Sequence, residues 1–222
     1  MDPSDVEAVF EALAAAADAP VTDVNVKRRR SPFRSLVACL LSAQSRDANT
    51  KRAADALFDR AATPEAILAL DEAEIARLIR PCGLYNTKAK NLKKLCRALV
   101  DDHAGVVPTD RAGLMALPGI GRKCADVMLR FVFHEPAIAV DTHVFRVATR
   151  LGLSDGRSAE QVARDLEAIV PERFAMAAHL LLLEHGKRIC RARVPRCAVC
   201  PVAPHCRYYA AHVATPDAAA GG

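Results

Sequence analysis

The chain has 222 residues, 51% hydrophobic, 26% charged and 5% aromatic, and 31 Lys and Arg against 26 Asp and Glu leave a net charge of +5; that predicts one globular unit or two small lobes sharing a core. Apolar runs such as Leu36–Leu41 and Leu180–Leu183 fall far short of the roughly 18 to 20 uncharged residues a membrane helix needs, which excludes a membrane span. The first twenty residues carry Asp2, Asp5, Glu7, Glu11 and Asp18 and no Lys or Arg, the reverse of a targeting leader, so a cytoplasmic protein is expected.

In chain order, the apolar periodicity reads almost throughout as helix. Ser31 followed by Pro32 is a helix start, and Phe33, Leu36, Val37, Leu40 and Leu41 follow at helical spacing, predicting a strongly buried helix. Asp47 is placed to cap the next helix, which runs to about Ala61, and Thr63 with Pro64 caps a third. Asp71 with Glu74 makes a capping-box-like pair ahead of Ile75, Leu78 and Ile79, and Gly83 stops that helix. Leu92, Leu95, Cys96, Leu99 and Val100 define a helix from about Lys88 to His103, and Pro108 separates it from a short one, about Arg111 to Leu117. Later helices are expected near Lys123, Asp141, Ser158 and Pro171. The one strand candidate is Ala137–Val140, so the expected fold class is all-α, with a disordered Ala218–Gly222 end.

Charge is unevenly spread. From His185 to Pro216 there is no Asp or Glu, while Lys187, Arg188, Arg191, Arg193, Arg196 and Arg207 fall in that stretch, and a second basic run is Lys27–Arg30 with Arg34. Such clusters suit a polyanion, nucleic acid being the commonest, or are simply a solvated basic face.

Leu117-Pro118-Gly119-Ile120-Gly121-Arg122-Lys123 stands between two short helices. The glycines supply a tight turn whose free N–H groups can hold a phosphate, or the turn is a plain connection. In the first helical turn the dipole opposes an ammonium, so Lys123 is awkward there unless its amine acts in the neutral form, as a nucleophile toward an electrophilic carbon. Neighbouring cations such as Arg122 and desolvation would favour that form; a phosphate-binding lysine is the alternative. Asp141, ahead of Thr142, His143 and a helical pattern through Val144, Val147 and Leu151, is either a helix cap or a carboxylate able to act as a base and to balance positive charge on a sugar.

Cys39, Cys82, Cys96 and Cys124 are scattered through apolar patterns and read as buried thiols, whereas Cys190, Cys197, Cys200 and Cys206 crowd into seventeen residues. Four thiolates in one loop bind a zinc ion or an iron–sulfur cluster, and the spacing alone leaves both open.

Taken in order, these constellations resemble the endonuclease III family of DNA glycosylases, in the helix-hairpin-helix superfamily, from about Ser31 to Tyr208. The most specific pieces are Leu117–Lys123, the Val140–Arg146 segment and the four-cysteine loop, whose spacing is that of the family's [4Fe–4S] site; Ser42-Ala43-Gln44 and Gly83-Leu84-Tyr85-Asn86 match as well. The resemblance implies a six-helix barrel over 25–135 and a cluster domain built from 1–24 and 136–222, with a DNA groove between them. Lys123 would be the nucleophile and Asp141 its catalytic partner. Cys190, Cys197, Cys200 and Cys206 would hold the cluster, and Gln44 and Leu84 would fill the space left by an extruded base. Gly119, Gly121, Arg122, His143, Arg191, Arg193 and Arg196 would contact DNA. The implied partner is double-stranded DNA carrying damaged pyrimidines or abasic sites, bound by a monomer. Met115 stands where some relatives carry an acidic residue. The rival classes are a DNA-binding protein without chemistry and a zinc-dependent regulator.

Overall fold

The computed structural model describes residues 1–17 and 31–214; the basic run Lys27–Arg30 and the Ala218–Gly222 end lie outside them. Among the described residues all regular structure is helical: α1 (Pro3–Ala15), α2 (Pro32–Ser42), α3 (Asp47–Arg60), α4 (Pro64–Ala69), α5 (Glu72–Leu78), α6 (Tyr85–His103), α7 (Arg111–Ala116), α8 (Arg122–Met128), α9 (Thr142–Leu151), α10 (Ala159–Ile169), α11 (Ala178–Arg188) and α12 (Arg207–His212). A π-helical turn, Leu129–Phe133, continues α8. No described helix is long and apolar enough to cross a membrane. The chain divides into two compact units, Lys27–Glu135, and Met1–Val26 together with Pro136–Gly222.

In the Lys27–Glu135 unit, α2 packs on α3, α6 and α8, and α6 on α4 and α5. Leu36 and Leu41 of α2, Leu57 of α3, Ile67 of α4, Ile75 of α5 and Leu92, Leu95 and Leu99 of α6 are completely buried. Thr63 Oγ1 accepts from Ala66 N at 3.2 Å and Asp71 Oδ1 from Glu74 N at 2.6 Å, so both expected caps form. Asp47 does not cap: Arg46 is the N-cap residue and Asp47 lies in the first turn of α3. Ser31 precedes Pro32 as expected but makes no side-chain cap bond. Helix α6 begins at Tyr85 rather than Lys88, with Lys88 N donating to Leu84 O at 2.9 Å in its first turn, and the Lys88 side chain is itself buried, donating from Nζ to Leu41 O at 2.8 Å.

In the other unit, α9 packs on α10, α11 and α12, and α1 on α11. The sequence reading did not assign α1; Asp2 Oδ1 accepts from Ser4 N at 3.0 Å to start it, and Val6, Val9, Phe10 and Leu13 enter the core. Ala137–Val140 is buried and extended but forms no strand. Ala139 O instead faces His179 Nδ1 of α11 at 2.9 Å, and since a carbonyl only accepts, that ring nitrogen carries the proton. At Pro171 only the 3₁₀ turn Glu172–Phe174 forms, and the helix expected there starts at Ala178.

Helices α9 and α11 meet so closely at Gly186 that a Cβ would lie 3.0 Å from His143 Cβ and 3.1 Å from Val147 Cγ2. Alanine in a helix interior ordinarily stabilises by about 1 kcal/mol over glycine. Gly186→Ala is expected instead to destabilise by about 1–3 kcal/mol through overpacking, measured by urea unfolding; a gain in stability would contradict the close approach.

Candidate functional site

The hairpin lies in the Lys27–Glu135 unit. Asp110 Oδ1 caps α7 by accepting from Gly113 N at 2.9 Å, and Ile120 N donates to Leu117 O at 3.1 Å to close the turn into α8. Gly119 has φ +81°, and a Cβ there would sit 3.3 Å from Asn91 Cβ and 3.4 Å from Leu40 Cδ1, so both conformation and space require glycine. Gly121, the N-cap residue of α8, has φ −95° and would place a Cβ in open space. The glycines therefore serve different ends: one makes the turn, the other leaves the approach to the α8 N–H groups open.

Lys123 is exposed, and its amine makes no hydrogen bond or ion pair with a described residue. Arg122 is not a free cation beside it. Arg122 Nε stands 3.3 Å from Asp126 Oδ2, Arg111 Nε donates to Asp126 Oδ1 at 2.8 Å, and Asp126 is fully buried. The desolvation expected at Lys123 is likewise absent from this unit, where the side chain faces solvent.

Gln44 and Leu84 are both exposed and both in the left-handed region, with φ 51° and 56°. For non-glycine residues this costs about 1–3 kcal/mol each and is held only where surrounding structure imposes it. The two loops abut, since a Cβ on Gly83 would lie 3.2 Å from Gln44 O. Buried Lys88, donating to Leu41 O just upstream of Gln44, ties α6 to the end of α2 and helps fix the pair. Leu84 is 58% exposed, an apolar side chain held out into solvent on a strained backbone.

Asp141 lies in the other unit and caps α9: its Oδ1 accepts from His143 N and Val144 N, each at 2.8 Å. Among the described residues no group hydrogen-bonds its Oδ2. The cap and carboxylate readings are thus compatible, with one oxygen spent and the other available. His143 is half-buried and its Nδ1 lies 3.2 Å from Arg146 Nη2.

The sequence reading missed two arginines one turn apart on α9. Arg146 donates from Nε to Cys190 O at 2.9 Å, from Nη2 to Gly186 O at 2.9 Å and from Nη1 to Thr142 O at 3.3 Å. Arg150 donates to Arg191 O at 2.8 Å and Ala192 O at 2.9 Å, lies 3.5 Å from Cys190 Sγ and stacks over the Tyr208 ring at 4.7 Å. Two arginines spaced by four on one helix were the available signal. Together they strap the cysteine loop to the helix that Asp141 begins.

Cys190, Cys197, Cys200 and Cys206 all border one cavity, with Arg150, His185 and Tyr208 among its other walls. Burial pushes the Cys200 thiol up to about 11, with repulsion from the other three cysteines adding to it, and Cys197 shifts the same way from the same causes. His185 is pushed down to about 4 by burial, and its Nε2 lies 3.6 Å from Cys200 Sγ. Among the described residues no three such side chains are gathered closely enough to hold a single metal ion. Arg191, Arg193 and Arg196 are all exposed on this loop.

Residues 37–172 match the HhH-GPD superfamily of base excision DNA repair proteins. The chain belongs to that superfamily. Within it, the chain is 45% identical over 189 residues to endonuclease III of Escherichia coli K12, covering 85% of this chain and 88% of that protein, and 46% identical over 200 residues to endonuclease III of Treponema pallidum, covering 90% and 93%. Among solved structures it resembles a trapped endonuclease III–DNA covalent intermediate, with TM-score 0.84, 36% identity and coverage of 95% of this chain and 98% of that one. The HhH-GPD match spans the hairpin, Lys123 and Asp141, whereas the cysteine loop lies beyond it.

Stability separates the roles of the two HhH-GPD hairpin glycines. Gly119→Ala is expected to cost about 1–2 kcal/mol for the left-handed backbone alone, whereas Gly121→Ser, a favoured cap in open space, is expected to change stability by no more than a few tenths of a kcal/mol. Urea unfolding of both variants checks this; equal losses would contradict the division.

Proposed function

We propose that the protein is a bifunctional DNA glycosylase and abasic-site lyase of base excision repair, acting on oxidised or ring-saturated pyrimidines in double-stranded DNA and on abasic sites. The observation that carries this reading is the exposed amine of Lys123, which no described residue engages, behind the hairpin of a chain in the endonuclease III group. A protein that only gripped DNA would have no need of Lys123 and Asp141 together.

In this reaction the damaged nucleotide is turned out of the duplex, at a cost of a few kcal/mol in lost stacking and pairing. Gln44 and Leu84, held outward on strained backbone, enter the vacated space, the leucine as an apolar wedge and the amide as a partner for the orphaned base. The neutral Lys123 amine attacks C1′ as the N-glycosidic bond breaks and the base departs with the bonding pair. Asp141, through Oδ2, takes the amine proton and balances positive charge on the sugar. Ring opening gives the Schiff base between Nζ and C1′; loss of a C2′ proton then expels the 3′ phosphate by β-elimination, cutting the strand. Gly119, Gly121 and the N–H of Arg122 receive a backbone phosphate, and His143 a further DNA contact.

Cys190, Cys197, Cys200 and Cys206 would hold a [4Fe–4S] cluster. Four thiols lining one cavity support a thiolate-ligated metal or cluster there, and the likeness to endonuclease III favours the cluster over zinc. The cluster would supply a cross-link that fixes the loop, leaving exposed Arg191, Arg193 and Arg196 for phosphates.

Lys123→Gln is expected to abolish strand cleavage at thymine glycol while duplex binding survives. Asp141→Asn keeps a capping oxygen, so stability should change by no more than about 1 kcal/mol while turnover falls by orders of magnitude. Near-normal turnover would make Asp141 a cap only. Replacing Arg191, Arg193 and Arg196 together should weaken damaged and undamaged duplex alike and flatten the salt dependence by about one unit of slope per lost phosphate contact; selective loss of damaged DNA would contradict a phosphate role.

A further inference from the structure

Two of the cysteines outside the cluster loop are not the isolated buried thiols that the sequence suggests. Cys39, on α2, and Cys124, in the first turn of α8, belong to helices that pack on each other within the Lys27–Glu135 unit. Cys39 Sγ donates to Cys124 O at 3.9 Å, which sets the two cysteines side by side where α2 packs on α8. Both are half-buried, with no disulfide between them. The other two outlying cysteines differ: Cys82 is buried against Asn49 O at 3.8 Å, and burial pushes Cys96 up to about 12.

We propose that Cys39 and Cys124 form a reversible disulfide under peroxide, a modification site one residue from Lys123 that slows the lysine's chemistry when oxidised. The pair is chemically asymmetric in the sense such a reaction needs. The neighbouring Cys124 thiol and the Lys123 charge lower the Cys39 thiol, while the Cys39 thiol and burial raise Cys124. Cys39 is therefore the attacking sulfur, because the thiolate is the nucleophile. Its sulfur takes an oxygen from hydrogen peroxide as the O–O bond breaks, giving a sulfenic acid and one water. The Cys124 sulfur then displaces the second oxygen as water, closing the S–S bond. Two thiols thus lose two electrons and two protons to one peroxide and two waters form; a dithiol reverses the exchange.

A disulfide holds its Cβ atoms about 3.5–4.5 Å apart, so the bond would lock the first turn of α8 against α2 at that separation. That turn carries Lys123, and a misplacement of about 1 Å at a reacting group can cost a hundredfold in rate. The effect on Lys123 rests on the proposed function; the bond itself does not.

The test uses the full-length holoprotein, treated with hydrogen peroxide, alkylated and digested with trypsin without reduction. The expected product joins Ser35–Arg46 to Cys124–Arg130, the peptides that carry the two cysteines, and dithiothreitol removes it. In parallel, borohydride trapping on an abasic-site duplex should slow about tenfold or more on oxidation and recover with dithiothreitol, whereas Cys39→Ser and Cys124→Ser should be insensitive to peroxide. Absence of the linked peptide, with both thiols alkylated or over-oxidised separately, would overturn the pairing. A linked peptide without slower trapping, or slowing that persists in both serine variants, would overturn the control of Lys123. Failure of the reduced protein to trap at all would instead count against the proposed function, with the linked peptide still readable.

Discussion

Asp141 Oδ1 accepts two backbone N–H groups at 2.8 Å, and the helix that begins there organises the rest of its unit. Once α9 starts at Thr142, Val144, Val147, Ala148 and Leu151 fall on one buried stripe, and Arg146 and Arg150 project to the side where the cysteine loop runs. Those arginines satisfy carbonyls of Gly186, Cys190, Arg191 and Ala192 that would otherwise lack helical partners. One carboxylate oxygen therefore sets a helix start while no described group hydrogen-bonds the other, so the structural role of Asp141 leaves room for the catalytic role proposed for it.

The Lys27–Glu135 unit is organised by backbone conformation. Gly119 accepts a left-handed turn at little cost, but Gln44 and Leu84 do not, and they hold that conformation against a penalty of about 1–3 kcal/mol each. Strain maintained at two abutting exposed loops, next to the buried Lys88 bond that ties α6 to α2, suits side chains that must stand ready outside a packed surface. The Arg111–Asp126–Arg122 group neutralises the cation that the sequence places beside Lys123.

Much of this was legible in the sequence, and the misses have physical causes. Helix existence followed from apolar periodicity, because Leu92, Leu95 and Leu99, or Val144, Val147 and Leu151, have no other way to share a face. Thr63 and Asp71 capped as their spacing indicates; Asp47 did not, because the helix began one residue earlier than its side chain needed. Ala137–Val140 looked like a strand because a buried extended segment is apolar in either case; what separates the two is the partner of its carbonyls, here His179, forty residues away. The pairing of Arg122 with Asp126 is an i,i+4 spacing within α8 that the sequence offered, whereas the bond from Arg111 to Asp126 and the approach of Cys39 to Cys124 depend on helix packing that no local pattern encodes.

The central claim is that one particular amine, Lys123, forms the covalent bond to DNA. Reducing the protein–DNA adduct with borohydride on a duplex containing an abasic site, then locating the modified residue by peptide mass mapping, tests it most directly. The account predicts the adduct at Lys123; an adduct at the N-terminal amine or at another lysine would contradict it.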